Sequence, residues 1–235
     1  SVAGVINVMA GGGSTLTLPT LIFLGLDGAT ANGTNRVAIV LQNLFATLSF
    51  RQEKVSRVRQ TLMFAVCALP GALLGALVAV RISDEWFQRI LGIIMIGVVI
   101  SMLFSRSDAS KPTTPEGTDT WWIYPALFGI GFYGGFIQVG VGFLFMAAFY
   151  HLMRMNLVFV NMHKVAVVLL YTIPALLIFA WTGHVDWKLG LSLALGNAFG
   201  GWWAAKLAVR KGEKVIRYVL VVAVLIMAIK ILNLV

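Results

Sequence analysis

The sequence predicts an all-α polytopic membrane protein, and three observations carry that reading. Of its 235 residues, 59% are hydrophobic and 11% are charged, against roughly a quarter charged in a soluble domain. Apolar stretches recur along the whole chain, each near the roughly 20 residues a transmembrane helix needs. The connections between them are short, and no stretch of this sequence reads as a soluble domain. Helices are the expected spanning form, because open sheet edges and long irregular loops leave backbone groups unpaired in hydrocarbon.

The first element, 1–26, is apolar but broken by Gly11, Gly12 and Gly13. Glycine ends one short helix and permits close backbone approach, and Ser14 or Thr15 is then placed to cap the next. Residues 14–26 as a helix cover only about 20 Å at 1.5 Å per residue, too short to cross. The chain opens on Ser1, ten residues before this break, so a first helix is expected to begin upstream. The charged start and cleavage site of a signal peptide are absent. Full crossings follow near 32–50, 60–80 and 88–104. The stretch SDASKPTTPEGTD (107–119) reads as a linker, with 108–117 at its centre. A second glycine-broken element occupies 121–152, where Gly134, Gly135, Gly140 and Gly142 bracket Gln138. Three further crossings are expected near 157–181, 189–209 and 215–235.

The order of these elements repeats. RVAIVL (36–41) returns as KVAVVL (164–169), 128 residues later. Upstream, AGGGSTLTLP (10–19) lies opposite QVGVGFLFMA (138–147); downstream, GALLG (71–75) faces GNAFG (196–200). Three matches in one order predict a duplication, with halves at 1–107 and 118–235. Basic residues, which favour cytoplasmic loops, then decide orientation. If every stretch crosses once, they divide without bias. If each glycine-broken element returns to its own side, Arg51, Lys54, Arg57, Arg59, Arg106, Lys111, Arg154, Lys206, Arg210, Lys211, Lys214 and Arg217 share one face. Only Arg81, Arg89 and Lys188 face the other side. Each half then has three full crossings plus a re-entrant element. An odd number of crossings makes the two repeats inverted.

Inverted repeats with discontinuous helices place binding sites near the midplane, where half-helix ends meet. Close helix packing is the competing use of the glycines. Asn32, Gly33, Thr34 and Asn35 are expected to precede one helix, and Asn161, Met162 and His163 its repeat mate. Arg36 and Lys164 would then stand at equivalent helix N-termini, which bind anions. No Asp or Glu lies inside a predicted span, and apart from Lys230 the other basic residues there, Arg89, Lys206 and Arg217, stand within four residues of a span's end, so these cations need a water-filled cavity or an anionic ligand. Snorkelling to the surface is the alternative. The expected substrate site thus comprises Arg36, Lys164, Asn32, Thr34, Asn35, Asn161, His163 and Gln138, with Gly12, Gly13 and Ser14 at the first break.

These motifs carry a resemblance. GGGSTLTLP followed by TANGTNRVAI, then FYGGFIQVGVG followed by a lysine-bearing helix start, resembles the TauE/SafE sulfite exporter family, and GHVDW at 183–187 fits its second half. The resemblance covers nearly the entire chain. It implies a secondary transporter of small sulfur oxyanions or organosulfonates (sulfite, thiosulfate, or a compound such as sulfoacetate) in a bacterial cytoplasmic membrane.

Other features point to structure. Trp121, Trp122, Trp181, Trp187, Trp202 and Trp203 fall near segment ends, the place for interfacial anchors. Pro70 and Pro174 sit in mid-segment, where kinks are expected. Asp186 reads as an N-cap. Cys67 is alone, which leaves no disulfide framework. His151 and His184 have no second ligand at helical spacing, so no metal is expected. No phosphate-cradling GxxxxGK[ST] occurs; no cofactor is expected, and ATP drive would need another subunit. Loop cations account for most of the net charge of +9, so the partners are the bilayer and a small anion, not nucleic acid; a homodimer is one assembly open to it. An alternating-access anion transporter is the leading function. An anion channel and an intramembrane enzyme using His163 are the competitors.

Overall fold

The computed structural model describes residues 1–104, 120–212, 214–216 and 218–219. The linker and most of the predicted crossing at 215–235, including Lys230, lie outside the described residues. Among those described the chain is helical, with no strand. The helices are α1 (Val2–Ala10), α2 (Ser14–Phe23), α3 (Gly28–Gln52), α4 (Val58–Ala79) and α5 (Asp84–Phe104) in the first half. In the second are α6 (Ile123–Phe136), α7 (Val141–Ala147) running into a π-helical turn (Ala148–Leu152), α8 (Leu157–Trp181) and α9 (Trp187–Lys211).

Local signals set the starts of the long helices. Asp27 caps α3 by accepting from the Thr30 amide at 2.9 Å. Asn156 caps α8 through the Val158 and Phe159 amides at 3.1 and 3.0 Å. Asp186 caps α9 through the Leu189 amide at 3.0 Å, as expected from the sequence. Each oxygen satisfies amides that have no partner inside the helix. Two starts correct the sequence reading. Helix α3 begins at Gly28, so Asn32, Gly33, Thr34, Asn35 and Arg36 lie inside it, and α8 begins at Leu157, so Asn161, His163 and Lys164 do too. Pro70 and Pro174 both fall within continuous helices.

Small residues let helices meet at backbone distance. A Cβ added to Gly75 of α4 would stand 2.7 Å from the Phe136 amide nitrogen, and one on Gly135 of α6 would stand 2.6 Å from the Ala72 Cα. Helices α1 and α9 pack alike: a Cβ on Gly4 would reach the Asn197 Cα at 2.9 Å. Such contact is the usual way membrane helices associate, since lipid tails give no hydrophobic drive between them. The polarity is inverted relative to a soluble protein. Leu195, Val66 and Phe199 are 74%, 67% and 63% exposed, while Asn32, Asn35, Arg36, Gln42, Asn161 and His163 are fully buried. Helices α4 and α8 are long and apolar enough to span a bilayer.

Both glycine-broken elements turn back on themselves. Gly11 ends α1 with φ +86°, and Gly13 returns to lie against Asn7, where an added Cβ would sit 2.5 Å from the Asn7 Cβ. Gln138 (φ 65°) and Gly140 (φ 70°) form the second break. Beyond it the chain returns until the Thr120 hydroxyl donates to the Leu152 carbonyl at 3.2 Å, so the two ends of this element meet. The breaks touch each other: a Cβ on Gly11 would lie 2.6 Å from the Gly142 Cα.

Candidate functional site

Where the breaks meet lies a small cavity of about 10 Å³ lined by Asn7, Ser14, Ile39, Asn43, Gln138, Val141, Gly142, Lys164 and Val168. That is about the volume of one water. Each wall follows from the fold. Ser14 is the first residue of α2, Val141 and Gly142 open α7, Asn7 lies in the last turn of α1, and Asn43 and Lys164 project from the long helices α3 and α8.

Lys164 is 2% exposed. Its ammonium donates to the Val8 carbonyl and the Asn161 Oδ1, both at 2.6 Å, and to the Asn7 carbonyl at 3.2 Å, with the Met146 sulfur at 3.7 Å. Asn7 and Val8 belong to the last turn of α1, which carries the negative end of the helix dipole; the Asn7 carbonyl also accepts from the Gly11 amide at 2.9 Å. A lysine from α8 therefore closes the C-terminus of a helix in the other half of the chain.

Arg36 does the converse. Its Nη2 donates to the Gly134 and Gly135 carbonyls at 3.2 and 2.5 Å, in the last turn of α6. The Asn32 Oδ1 stands at 3.5 Å, and the guanidinium lies 4.6 Å from the Phe179 ring centroid. It is fully buried, and neither Nε nor Nη1 has a hydrogen-bond partner among the described residues. Both cations are thus buried where the sequence raised snorkelling as an alternative.

The expected convergence of Arg36 and Lys164 on one ligand is not what the structure has. Arg36 faces the end of α6 and does not line the cavity, whereas Lys164 does. Nor does either stand at a helix N-terminus, for the reason given by the caps. Of the other expected site residues, Ser14 and Gln138 line the cavity. Asn35 sits behind it, its Nδ2 donating to the Ser14 hydroxyl at 3.3 Å and its Oδ1 accepting from Thr17 at 2.7 Å. Gly13 donates its amide to the Asn7 Oδ1 at 3.2 Å, and Gly12 accepts from the Thr15 hydroxyl at 2.6 Å. Helix α2 is therefore preceded by Gly13 with no side-chain cap, and Ser14 and Thr15 do not cap it as expected.

The rest are occupied elsewhere. Asn32 donates to the Phe136 carbonyl at 2.6 Å, and the Thr34 hydroxyl accepts from the Asp186 amide at 2.9 Å. Asn161 serves Lys164. His163 turns toward α4, with Nδ1 2.8 Å from the Thr61 hydroxyl and its ring against Phe64 and Phe149. Among the described residues no cluster of His, Cys, Asp or Glu could hold a metal.

Two polar wall residues escaped the sequence reading, Asn7 and Asn43. The signal was present: each is an amide in an apolar run, and the argument that singled out buried cations applies to buried amides too. The cavity keeps unspent polarity. The Asn43 Nδ2 and Gln138 Oε1 are buried without a hydrogen-bond partner among the described residues, while Gln138 Nε2 is bonded to the Thr172 hydroxyl at 3.2 Å. Its backbone, at φ 65°, is in the left-handed region that a non-glycine residue seldom occupies. Strain of that kind tends to collect at functional sites.

Known proteins resemble the chain from end to end. The family model described as sulfite exporter TauE/SafE matches residues 1–231. The chain is 28% identical to probable membrane transporter protein ORF9 of Sinorhizobium sp, over 98% of this chain and 88% of that protein. It is 28% identical to probable membrane transporter protein YfcA of Escherichia coli K12, over 98% of this chain and 86% of that one. A probable membrane transporter protein of Haemophilus influenzae is 26% identical over 97% and 90%. No solved structure matches it. With its outward apolar surface and bacterial membrane relatives, the chain is an integral protein of the bacterial inner membrane and belongs to the sulfite exporter TauE/SafE family.

Proposed function

We propose that the chain is a secondary transporter of small sulfur-containing anions, not an enzyme, and that sulfite, thiosulfate or an organosulfonate such as sulfoacetate binds in the cavity at the crossed breaks. The single observation behind this reading is a buried lysine, with no carboxylate among the buried residues described, on the wall of a polar cavity. A sulfonate or sulfite oxygen there would take a charge-assisted bond from Lys164, in place of its 3.2 Å bond to the Asn7 carbonyl, and further bonds from the Ser14, Asn7 and Asn43 side chains. The start of α2 adds the positive end of a helix dipole. Arg36 supports the site from behind, by fixing the end of α6 from which Gln138 follows.

The inverted repeat is part of this proposal. Arg36 of the first half closes the second half's broken helix, and Lys164, 128 residues later, closes the first half's. That reciprocity is what a two-fold relation between the halves would produce. The narrowness of the cavity favours alternating access over a channel. A channel needs a continuous wet path, whereas about 10 Å³ holds no sulfonate until the walls part.

Purified protein in liposomes decides it. Saturable exchange of one or more of sulfite, thiosulfate and sulfoacetate, with sulfate as competitor, is the expected result. Flux that never saturates would indicate a channel, and absence of flux for all four would refute the reading.

A further inference from the structure

The C-terminal ends of broken helices in inverted-repeat transporters are where a coupling cation is coordinated, by carbonyl oxygens left without amides. Both such ends are filled in this protein by its own side chains. At the end of α1, three oxygens surround the Lys164 ammonium: Val8 O and Asn161 Oδ1 at 2.6 Å and Asn7 O at 3.2 Å. An ammonium has three protons to give, so the oxygen cage is saturated. At the end of α6, the Gly134 and Gly135 carbonyls hold Arg36, and Asn32 closes the remaining turn through the Phe136 carbonyl. Arginine does not give up its proton in proteins, so that end is permanently charged. A metal cation at either end would have to displace the basic side chain already there. No Asp or Glu is among the buried residues described that could offset a second positive charge.

We infer that Lys164 and Arg36 occupy the two positions where a transporter of this architecture would coordinate a coupling metal ion, so that anion movement is independent of Na⁺ and K⁺. The transported anion is then countercharged by Lys164, which lines its cavity, and not by a co-transported metal. This rests on the transport reading above and adds the identity of the countercharge.

The test has two arms. In the first, sulfoacetate, sulfite and thiosulfate uptake by wild-type proteoliposomes is measured with Na⁺, K⁺ or N-methylglucammonium outside, at fixed ionic strength and clamped membrane potential. The expected result is one initial rate for all three cations. A rate that rises saturably with Na⁺ or K⁺ overturns the inference while leaving the transport reading intact. The second arm needs no transport. A ligand that binds only the folded state raises the melting temperature in a saturable way. Wild-type Tm should not respond to Na⁺ or methylammonium beyond the N-methylglucammonium control. Lys164→Ala, which empties the oxygen cage, should gain a saturable rise with Na⁺ or methylammonium but not with the bulkier tetramethylammonium. A wild-type Tm that climbs with Na⁺, or a Lys164→Ala protein that ignores every cation, contradicts the assignment. Should Lys164→Ala not fold, the wild-type melting curve alone decides. Absence of any uptake would refute the proposed function, and the melting arm would still rule on the cation.

Discussion

Arg36 and Lys164 open similar stretches, RVAIVL and KVAVVL, and share a kind of partner, yet they differ in what a ligand could reach. Lys164 lines the cavity; Arg36 is spent on the end of α6. A hydrogen bond to a charged group contributes roughly 1.5–3 kcal/mol, so Lys164→Ala should weaken anion binding by about 10- to 100-fold, read by calorimetry. Arg36→Ala should act first on folding, by leaving the Gly134 and Gly135 carbonyls unpaired, and lower the melting temperature with a smaller change in affinity. Equal affinity loss from the two variants would restore a site shared between them. Asn43→Leu removes an amide with an unpaired Nδ2 and should reduce affinity while costing little stability, because a buried donor without a partner is itself unfavourable; unchanged affinity would take Asn43 out of the site. The cations were legible in the sequence because a charge in an apolar run has few explanations. Their setting was not. Asn32, Thr34 and Asn35 are weak helix formers and read as a turn, but each finds a bond from another element: Phe136, Asp186 and Thr17. Tertiary partners of that sort leave no mark on local sequence.

Among the elements, the pair of breaks carries the most structure per residue. Gly11 needs both its left-handed backbone and its missing side chain, since Gly142 is in backbone contact. A left-handed backbone costs an L-residue about 1–2 kcal/mol, and the steric collision adds to it. Gly11→Ala should therefore lower the melting temperature well below that of a control at Gly129, where an added Cβ meets nothing within 4 Å. Equal melting temperatures would mean that the crossed breaks are not in tight contact. The breaks themselves were readable from glycine runs and from lengths too short to cross. The contact between them joins residues more than a hundred apart and appears only once α3 and α8 are packed. Glycines read as helix breaks divide their work. Gly135 meets α4 with its α-carbon and Arg36 with its carbonyl, so packing and charge compensation share one residue.

For the whole molecule, the sequence-derived charge count asks that the loops after α3 and α9 share one side of the membrane. The Arg210 side chain reaches Glu53 at 3.0 Å, joining the C-terminal ends of those two helices. Cysteines introduced at Lys54 and at Lys211, in a Cys67→Ala background, should both be labelled from the cytoplasm; labelling from opposite sides would rule out the inverted arrangement. The central claim is that a sulfur anion crosses through the cavity that Lys164 lines, and counterflow tests it most directly. Liposomes loaded with unlabelled sulfite, thiosulfate or sulfoacetate are diluted into labelled substrate, with wild type and Lys164→Ala compared at equal amounts of folded protein. The account predicts saturable counterflow for at least one of these anions in wild type and its loss in Lys164→Ala. Counterflow in Lys164→Ala equal to wild type would place the pathway elsewhere and contradict it.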